Sequence, residues 1–210
     1  MKKHGFTLSE LLITLSLMAF LLTITMSTFK KITPNQEKMM LKKAYYLTER
    51  VISELVNDAE LYPDPESNNG AWYLANTVKV IIPGTSTEVE GNTKFCKLFK
   101  SRLNVAEDVN SCPDGTNSES ANYFTTTDGI KWYIEKSSFS STTPCKIVVD
   151  VNGAKAPNRK YISTGNNQCL KPDQFAFAVY ANGRVIPGGT DEQKAFTLNY
   201  LRDTKVSNEE

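Results

Sequence analysis

The sequence predicts an α+β protein in which a long N-terminal helix packs on an antiparallel β-sheet. Three observations support this fold class: a charge-free apolar run from Leu11 to Phe29, a helical apolar pattern from Gln36 to Leu61, and short strand-like runs after it. The chain has 210 residues, which is enough for one apolar segment and a single globular domain, and too few for two sizeable cores.

The apolar run from Leu11 to Phe29 is long enough to span a membrane. At ~1.5 Å per residue, its helical length approximates the ~30 Å hydrocarbon core of a bilayer. It ends in Lys30 and Lys31 without an Ala-x-Ala sequence, so removal by ordinary signal peptidase is not expected. Two lysines precede the run and two follow it, so the positive-inside rule does not decide its orientation.

A second, amphipathic half of the helix is predicted after a kink. Pro34 removes a backbone donor and crowds the preceding turn, so the helix is expected to bend there. From Gln36 to Leu61 apolar residues recur every three or four positions on one face, namely Met40, Ala44, Leu47, Val51, Leu55 and Ala59. The sequence Tyr62-Pro63-Asp64-Pro65 is expected to end the helix.

The remainder of the chain has the pattern of a β-rich domain. Asp128-Gly129 and Asn182-Gly183 lie between strand-like runs, which is a strong hairpin signal. The runs are Val78–Ile82, Tyr123–Thr127, Ile130–Glu135, Cys145–Val151, Phe175–Ala181 and Arg184–Ile186. One sheet of about four to six antiparallel strands, with the amphipathic helix across its apolar face, buries both patterns. Residues 95–122 are expected to form a partly helical excursion pinned by a disulfide.

All four cysteines follow the apolar run, and an even number beyond an export signal indicates two disulfides made outside the cytoplasm. Three pairings are possible. We favour Cys96 with Cys112 and Cys145 with Cys169, because each bond closes a short polar loop that contributes roughly 3 kcal/mol in the chain-entropy estimate. The alternative is four reduced, buried cysteines.

Composition excludes several classes of function. Lys and Arg number 24 against 23 Asp and Glu, and the basic residues do not cluster, so nucleic-acid binding is not indicated. The only histidine is His4, ahead of the apolar run, so the domain beyond it cannot form a Ser-His-Asp or Cys-His catalytic arrangement. It also lacks a phosphate-binding loop sequence and zinc-ligand spacing. We therefore expect that the protein is not an enzyme and needs no cofactor.

The first ten residues, Met1-Lys2-Lys3-His4-Gly5-Phe6-Thr7-Leu8-Ser9-Glu10, resemble the processing motif of the type IV pilin superfamily. The resemblance implies that a prepilin peptidase cuts between Gly5 and Phe6 and methylates the new amine of Phe6. It implies a leader of residues 1–5, a transmembrane and assembly helix of residues 6–31, an amphipathic helix of residues 32–61, and a β-rich head of residues 62–210 with two disulfides. The expected architecture is the pilin fold.

Glu10 has two interpretations. The resemblance implies an assembly carboxylate, and this has a physical reason: the free amine of Phe6 becomes a buried cation in a filament core, where an unpaired charge is costly. A glutamate on a neighbouring subunit neutralises that amine and sets the axial register. In the second interpretation, Thr7-x-x-Glu10 is a capping box at the start of a plain membrane anchor.

A second, weaker resemblance lies near the C-terminus. Asp150-Val151-Asn152-Gly153, followed by Pro157-Asn158 and by Asp173 before a strand, resembles the C-terminal pattern of many minor pilins and secretion pseudopilins, although residues 165–171 interrupt it. The resemblance raises the possibility of calcium, since Asp150, Asn152 and Asp173 carry oxygen donors of the kind that calcium uses. A turn whose side chains bond their own backbone is the favoured interpretation.

These patterns predict a structural subunit of a type IV pilus, a competence pilus or a type II secretion pseudopilus. The resemblance implies that its partners are other pilin or pseudopilin subunits, the prepilin peptidase and an inner-membrane assembly platform. Before assembly the chain is expected to cross the inner membrane once, with the head outside the cytoplasm. The alternatives are a membrane-anchored extracytoplasmic binding module that keeps its leader, and a secreted hydrolase behind an uncleaved anchor.

Overall fold

The computed structural model describes residues 7–32, 36–64, 73–112, 122–134, 139, 143–153 and 155–202, with side chains in the first helix described as far as Thr23. Gly5, Phe6 and Pro34 lie outside the described residues, so the predicted cleavage site and the predicted kink do too. Among the described residues, no helix combines the length and the hydropathy of a membrane span.

Two helices open the chain: α1, Leu8–Ile32, and α2, Gln36–Val56. Helix α2 is amphipathic as predicted, and its buried residues are Lys38, Leu41, Ala44, Thr48, Val51, Ile52 and Leu55. It ends earlier than the predicted Leu61, because the Asp58 carboxylate accepts the N–H groups of Glu60 and Leu61 at 3.2 and 3.3 Å. Such local side-chain bonds compete with helical ones, and they leave Ala59, predicted on the buried face, exposed.

The sheet has six antiparallel strands, and its spatial order follows the chain. After a two-stranded hairpin of β1, Val80–Ile81, and β2, Glu88–Val89, the sheet comprises β3, Val105–Val109; β4, Tyr123–Thr126; β5, Lys131–Ile134; β6, Cys145–Asp150; β7, Gln174–Val179; and β8, Val185–Pro187. Two further helices are α3, Lys94–Ser101, and α4, Asp191–Arg202. The fold class is therefore α+β with an antiparallel sheet, as predicted, and it is consistent with the pilin fold.

The core lies between α2, α3 and one face of the sheet. Trp132 on β5 is fully buried, packs against Phe99 of α3 at 5.8 Å between ring centroids, and donates its indole N–H to Thr126 Oγ1 at 3.1 Å. Tyr45 of α2 packs edge-on against Phe177 of β7 at 5.4 Å. Aromatic rings on these four elements thus tie both helices to the middle of the sheet.

Lys94, at the start of α3, is a buried cation within this core. Its side chain is 1% exposed, and its ammonium lies 4.4 Å from the ring centroid of Tyr62 and 3.5 Å from Asn76 Oδ1. Burial lowers the pKa of Lys94 to about 8, because a poorly hydrated site disfavours the charged form. The tyrosine ring and the amide oxygen offset part of that penalty.

One of the two predicted disulfides is present. Cys96 in α3 and Cys112 after β3 are joined, which ties the helix to the edge of the sheet. Cys145 and Cys169 are both buried and do not form the predicted bond. The reason is topological. The segment that carries Cys169 returns to the sheet beside Asp150, whereas Cys145 begins the same strand, roughly 17 Å away at about 3.3 Å per residue.

The cysteine assignment is tested by alkylation. Under denaturing, non-reducing conditions we expect iodoacetamide to modify Cys145 and Cys169 only, and after reduction to modify all four cysteines, as read by peptide mass mapping. Reduction should lower the free energy of unfolding by about 3 kcal/mol, because it releases a short closed loop. If Cys145 and Cys169 were not alkylated before reduction, the protein would contain the second disulfide after all.

Candidate functional site

The start of α1 brings Thr7 and Glu10 together. Glu10 Oε2 accepts the backbone N–H of Thr7 at 2.9 Å and its hydroxyl at 2.8 Å. In return, the N–H of Glu10 points to Thr7 Oγ1 at 3.4 Å. This reciprocal arrangement is a capping box, which satisfies donors that the first helical turn leaves without intrahelical partners. The capping interpretation of these two residues is therefore correct for the single chain.

The described surface of α1 is apolar and uncovered. Every described side chain from Thr7 to Thr23 is exposed, including Leu8 at 81% and Phe20 at 63%. No charged residue lies between Glu10 and Lys30. Contiguous apolar surface of this size marks a membrane-facing or protein-binding element, and Glu10 is the one ionisable side chain on its described part.

The second predicted site, Asp150 with Asp173, is a hydrogen-bonded junction where β6 ends and β7 begins. Asp173 is fully buried, and its two oxygens accept the backbone N–H groups of Arg159 at 2.7 Å and Asn158 at 2.8 Å. Asp150 is 1% exposed and accepts the side chain of Gln174 at 3.2 Å. The predicted pattern linked Pro157-Asn158 to Asp173 in sequence only, and the structure brings them into contact.

The Asp-x-Asn-Gly sequence forms a tight turn at this junction. Asp150 Oδ1 accepts the N–H of Asn152 at 3.3 Å. Gly153 has φ +72°, and a Cβ there would lie 2.9 Å from the backbone oxygen of Gly129, so only glycine fits. With its amide nitrogen turned towards Asp150, Asn158 donates to Asp150 Oδ2 at 2.9 Å and to the oxygen of Gly153 at 3.0 Å.

These contacts are those expected for the turn interpretation, because the carboxylate oxygens bond nearby protein donors. Asn152 Oδ1 is buried without a hydrogen-bond partner in the described part of the chain. Across the described ranges, no group of three His, Cys, Asp or Glu side chains could hold a metal ion. Calcium binding by Asp150, Asn152 and Asp173, the less favoured of the two interpretations, stays a hypothesis.

The electrostatics of the junction follow from burial. Burial raises the pKa of Asp150 to about 6, the hydrogen bond from Gln174 opposes that rise, and the charge of Asp173 adds to it. Glu37, in the first turn of α2, also has a raised pKa, first because of burial and then because of Asp173, while Lys171 acts in the opposite direction. Burial therefore disfavours the ionised forms of Asp150 and Glu37 in the folded protein.

The pH dependence of stability tests this charge. Asp150 has a folded-state pKa above its ordinary 3.8, so its stabilising contribution is fully present below about pH 4 and is lost as the pH rises through about 6. We expect Asp150→Asn to flatten this part of the profile in denaturant unfolding. Asp191→Asn, at a side chain 99% exposed, is the matched control and should leave the profile unchanged. A parent profile that is already flat from pH 4 to 7 would contradict the assignment.

Comparison with known proteins bears on the N-terminal segment. Neither a curated protein nor a solved structure matches the chain. A family model described as the prokaryotic N-terminal methylation motif matches residues 1–26. The match covers the basic leader, the Gly5-Phe6 step, Glu10 and most of the apolar run. Residues 1–26 of this chain therefore carry the cleavage motif of the type IV pilins and pseudopilins.

Proposed function

We propose that the chain is the precursor of a structural subunit of a type IV pilus, a competence pilus or a type II secretion pseudopilus. The single observation that carries the proposal is the exposed apolar surface of α1 with Glu10 at its head, inside the methylation motif. Prepilin peptidase cuts between Gly5 and Phe6, and the assembly platform then extracts the helix from the inner membrane into a growing filament.

Cleavage creates a positive charge at the N-terminus that Glu10 of a neighbouring subunit neutralises. The new amine belongs to Phe6, directly before Thr7, and it enters the dry centre of the filament with the helix. An unpaired buried charge costs several kcal/mol, and a carboxylate from a neighbouring subunit removes most of that cost. Since a misregistered neighbour leaves both charges unpaired, the pair specifies axial register more than it adds strength.

The capping box does not prevent this exchange. A capping interaction contributes only about 1 kcal/mol, less than the several kcal/mol that an unpaired buried amine costs. Both bonds to Thr7 use Oε2 of Glu10, and Oε1 receives no hydrogen bond from the described residues. Glu10 can therefore cap its own helix in the membrane and accept a neighbour's amine in the filament.

The head fits a location outside the cytoplasm. The Cys96–Cys112 bond forms and persists in an oxidising compartment. The sheet and its helices carry the chain's aromatic core and leave the apolar surface of α1 uncovered, so polymerisation proceeds through α1 while the head faces outwards. Partners on this proposal are other pilin or pseudopilin subunits, the peptidase and the platform.

Substitution of Glu10 separates processing from assembly. We expect Glu10→Ala to be cleaved like the parent, because the cut lies before Phe6, and to be largely lost from sheared filaments, because the neighbouring amine has no partner. Cleavage is read by mass and incorporation by immunoblot of the filament fraction. Ser9→Ala, an exposed neighbour in the same turn, is the control and should assemble normally. Normal incorporation of Glu10→Ala would remove this role.

A further inference from the structure

The segment that interrupts the C-terminal pattern forms an uncharged hairpin. Residues 161–170 contain no charged side chain, while Arg159 and Lys160 precede them and Lys171 follows. Ile162 and Cys169 exchange backbone hydrogen bonds of 3.1 and 2.9 Å. At its base, Tyr161 stacks on Phe196 of α4 with 4.2 Å between ring centroids, so the hairpin is held against the head.

The hairpin carries apolar side chains at its base, an uncharged polar turn from Ser163 to Gln168, and basic side chains on its flanks. Leu170 is 55% exposed and Ile162 is 36% exposed. Lys155, Arg159 and Lys171 are exposed. No acidic residue lies between Lys155 and Lys171, and Asp173, which follows shortly after, is buried. Its two oxygens bind backbone N–H groups inside the head, so its charge does not face the same solvent as the basic side chains.

Acidic residues of the neighbouring helices α2 and α4 lie beside the hairpin. Glu192 of α4 accepts the hydroxyl of Ser163 at 2.8 Å, and Asp191 pairs with Lys194 at 3.0 Å. Glu37 of α2 is close enough to Lys171 and Asp173 for their charges to act on it. The segment from Lys155 to Lys171 thus carries only basic charged side chains, and Glu192 and Glu37 offset part of that positive charge.

The hairpin lies at the end of the head from which α1 emerges. Helix α2 runs along β7 and β8. Tyr45 contacts Phe177 of β7. Val56, the last residue of α2, lies against Gly183, where a Cβ on the glycine would be 2.8 Å from the valine side chain. The first turn of α2 therefore lies beside the start of β7, next to the hairpin. Ile32, the last residue of α1, is joined to Gln36 by a chain that spans at most ~15 Å.

We propose that the hairpin of residues 161–170 docks on the anionic phospholipid headgroups of the membrane that holds α1 before the subunit is extracted. An uncharged hairpin with two exposed apolar side chains at its base suits the interfacial region, and flanking Lys and Arg side chains suit an anionic surface. The inference rests on the proposed function, since it needs α1 in the membrane. Docking would fix the rotation of the head relative to the membrane at the moment of assembly.

The test uses the full-length chain in vesicles of phosphatidylcholine with or without phosphatidylglycerol, with bromine on the acyl chains as a fluorescence quencher. Leu170→Trp reports on the hairpin. Ile81→Trp is the matched control, because Ile81 is similarly exposed at 56% and lies in the β1–β2 hairpin. The segment before that hairpin is attached at the opposite end of the head, where the N–H of Leu74 donates to the oxygen of Ala181. The emission of the parent chain, with its own two tryptophans, is subtracted.

We expect bromine to reduce the emission of the tryptophan at position 170 in vesicles with phosphatidylglycerol, and to leave that at position 81 unchanged. High salt, or substitution of Lys155, Arg159 and Lys171 by Gln in the Leu170→Trp chain, should relieve the quenching. Equal quenching by bromine at positions 170 and 81, or no quenching at position 170, would overturn the inference. A change in the emission at position 170 that is independent of bromine and occurs only at high protein-to-lipid ratios would indicate contact with a second copy of the chain. That result would also overturn the inference.

Flotation of the same vesicles separates this inference from the proposed function. A chain that resists alkaline extraction and floats with the lipid has α1 in the membrane, so absent quenching at position 170 then rejects the hairpin contact alone. A chain that does not float contradicts the anchored precursor itself.

Discussion

The burial of one face of α2 against the six-stranded sheet decides where every other part of the chain can lie. Leu41, Val51 and Leu55 are fully buried, and each such side chain contributes about 1.5–3 kcal/mol relative to exposure. This packing brings α2 alongside β7, leaves the start of α2 beside the hairpin at residues 161–170, and sets the point from which α1 leaves the head. Helix α1 has no comparable partner within the described chain. On the proposed function, its exposed apolar surface lies first in the membrane and then against other subunits.

Glu10 shows how one side chain can serve two states. In the single chain it caps its own helix through Thr7, which is a modest local stabilisation. On the proposed function, the same carboxylate faces a buried amine in the filament, where the cost of leaving the charge unpaired is much larger. On that proposal, the two interpretations of the sequence Thr7-x-x-Glu10 describe successive states and are not exclusive.

Local chemistry explains which elements could be predicted from the sequence. The hairpins at Asp128-Gly129 and Asn182-Gly183 were predictable because turn residues act on their immediate neighbours. Helix α4 was not predicted, although Thr190 and Gln193 form a capping box at its start. Strand β3 was missed because its middle residues are exposed and give no alternating pattern. The expected Cys145–Cys169 bond was wrong because closeness in sequence does not reveal which end of a strand a loop returns to.

On the proposed function, the N-terminal motif is processed and the apolar helix then becomes an assembly element. Intact-mass analysis of the protein from native membranes tests this processing most directly. We expect a mature chain that begins at Phe6 with one added methyl group on its amine and retains the whole of α1. A chain that still begins at Met1, or one cut beyond Ser27, would contradict it.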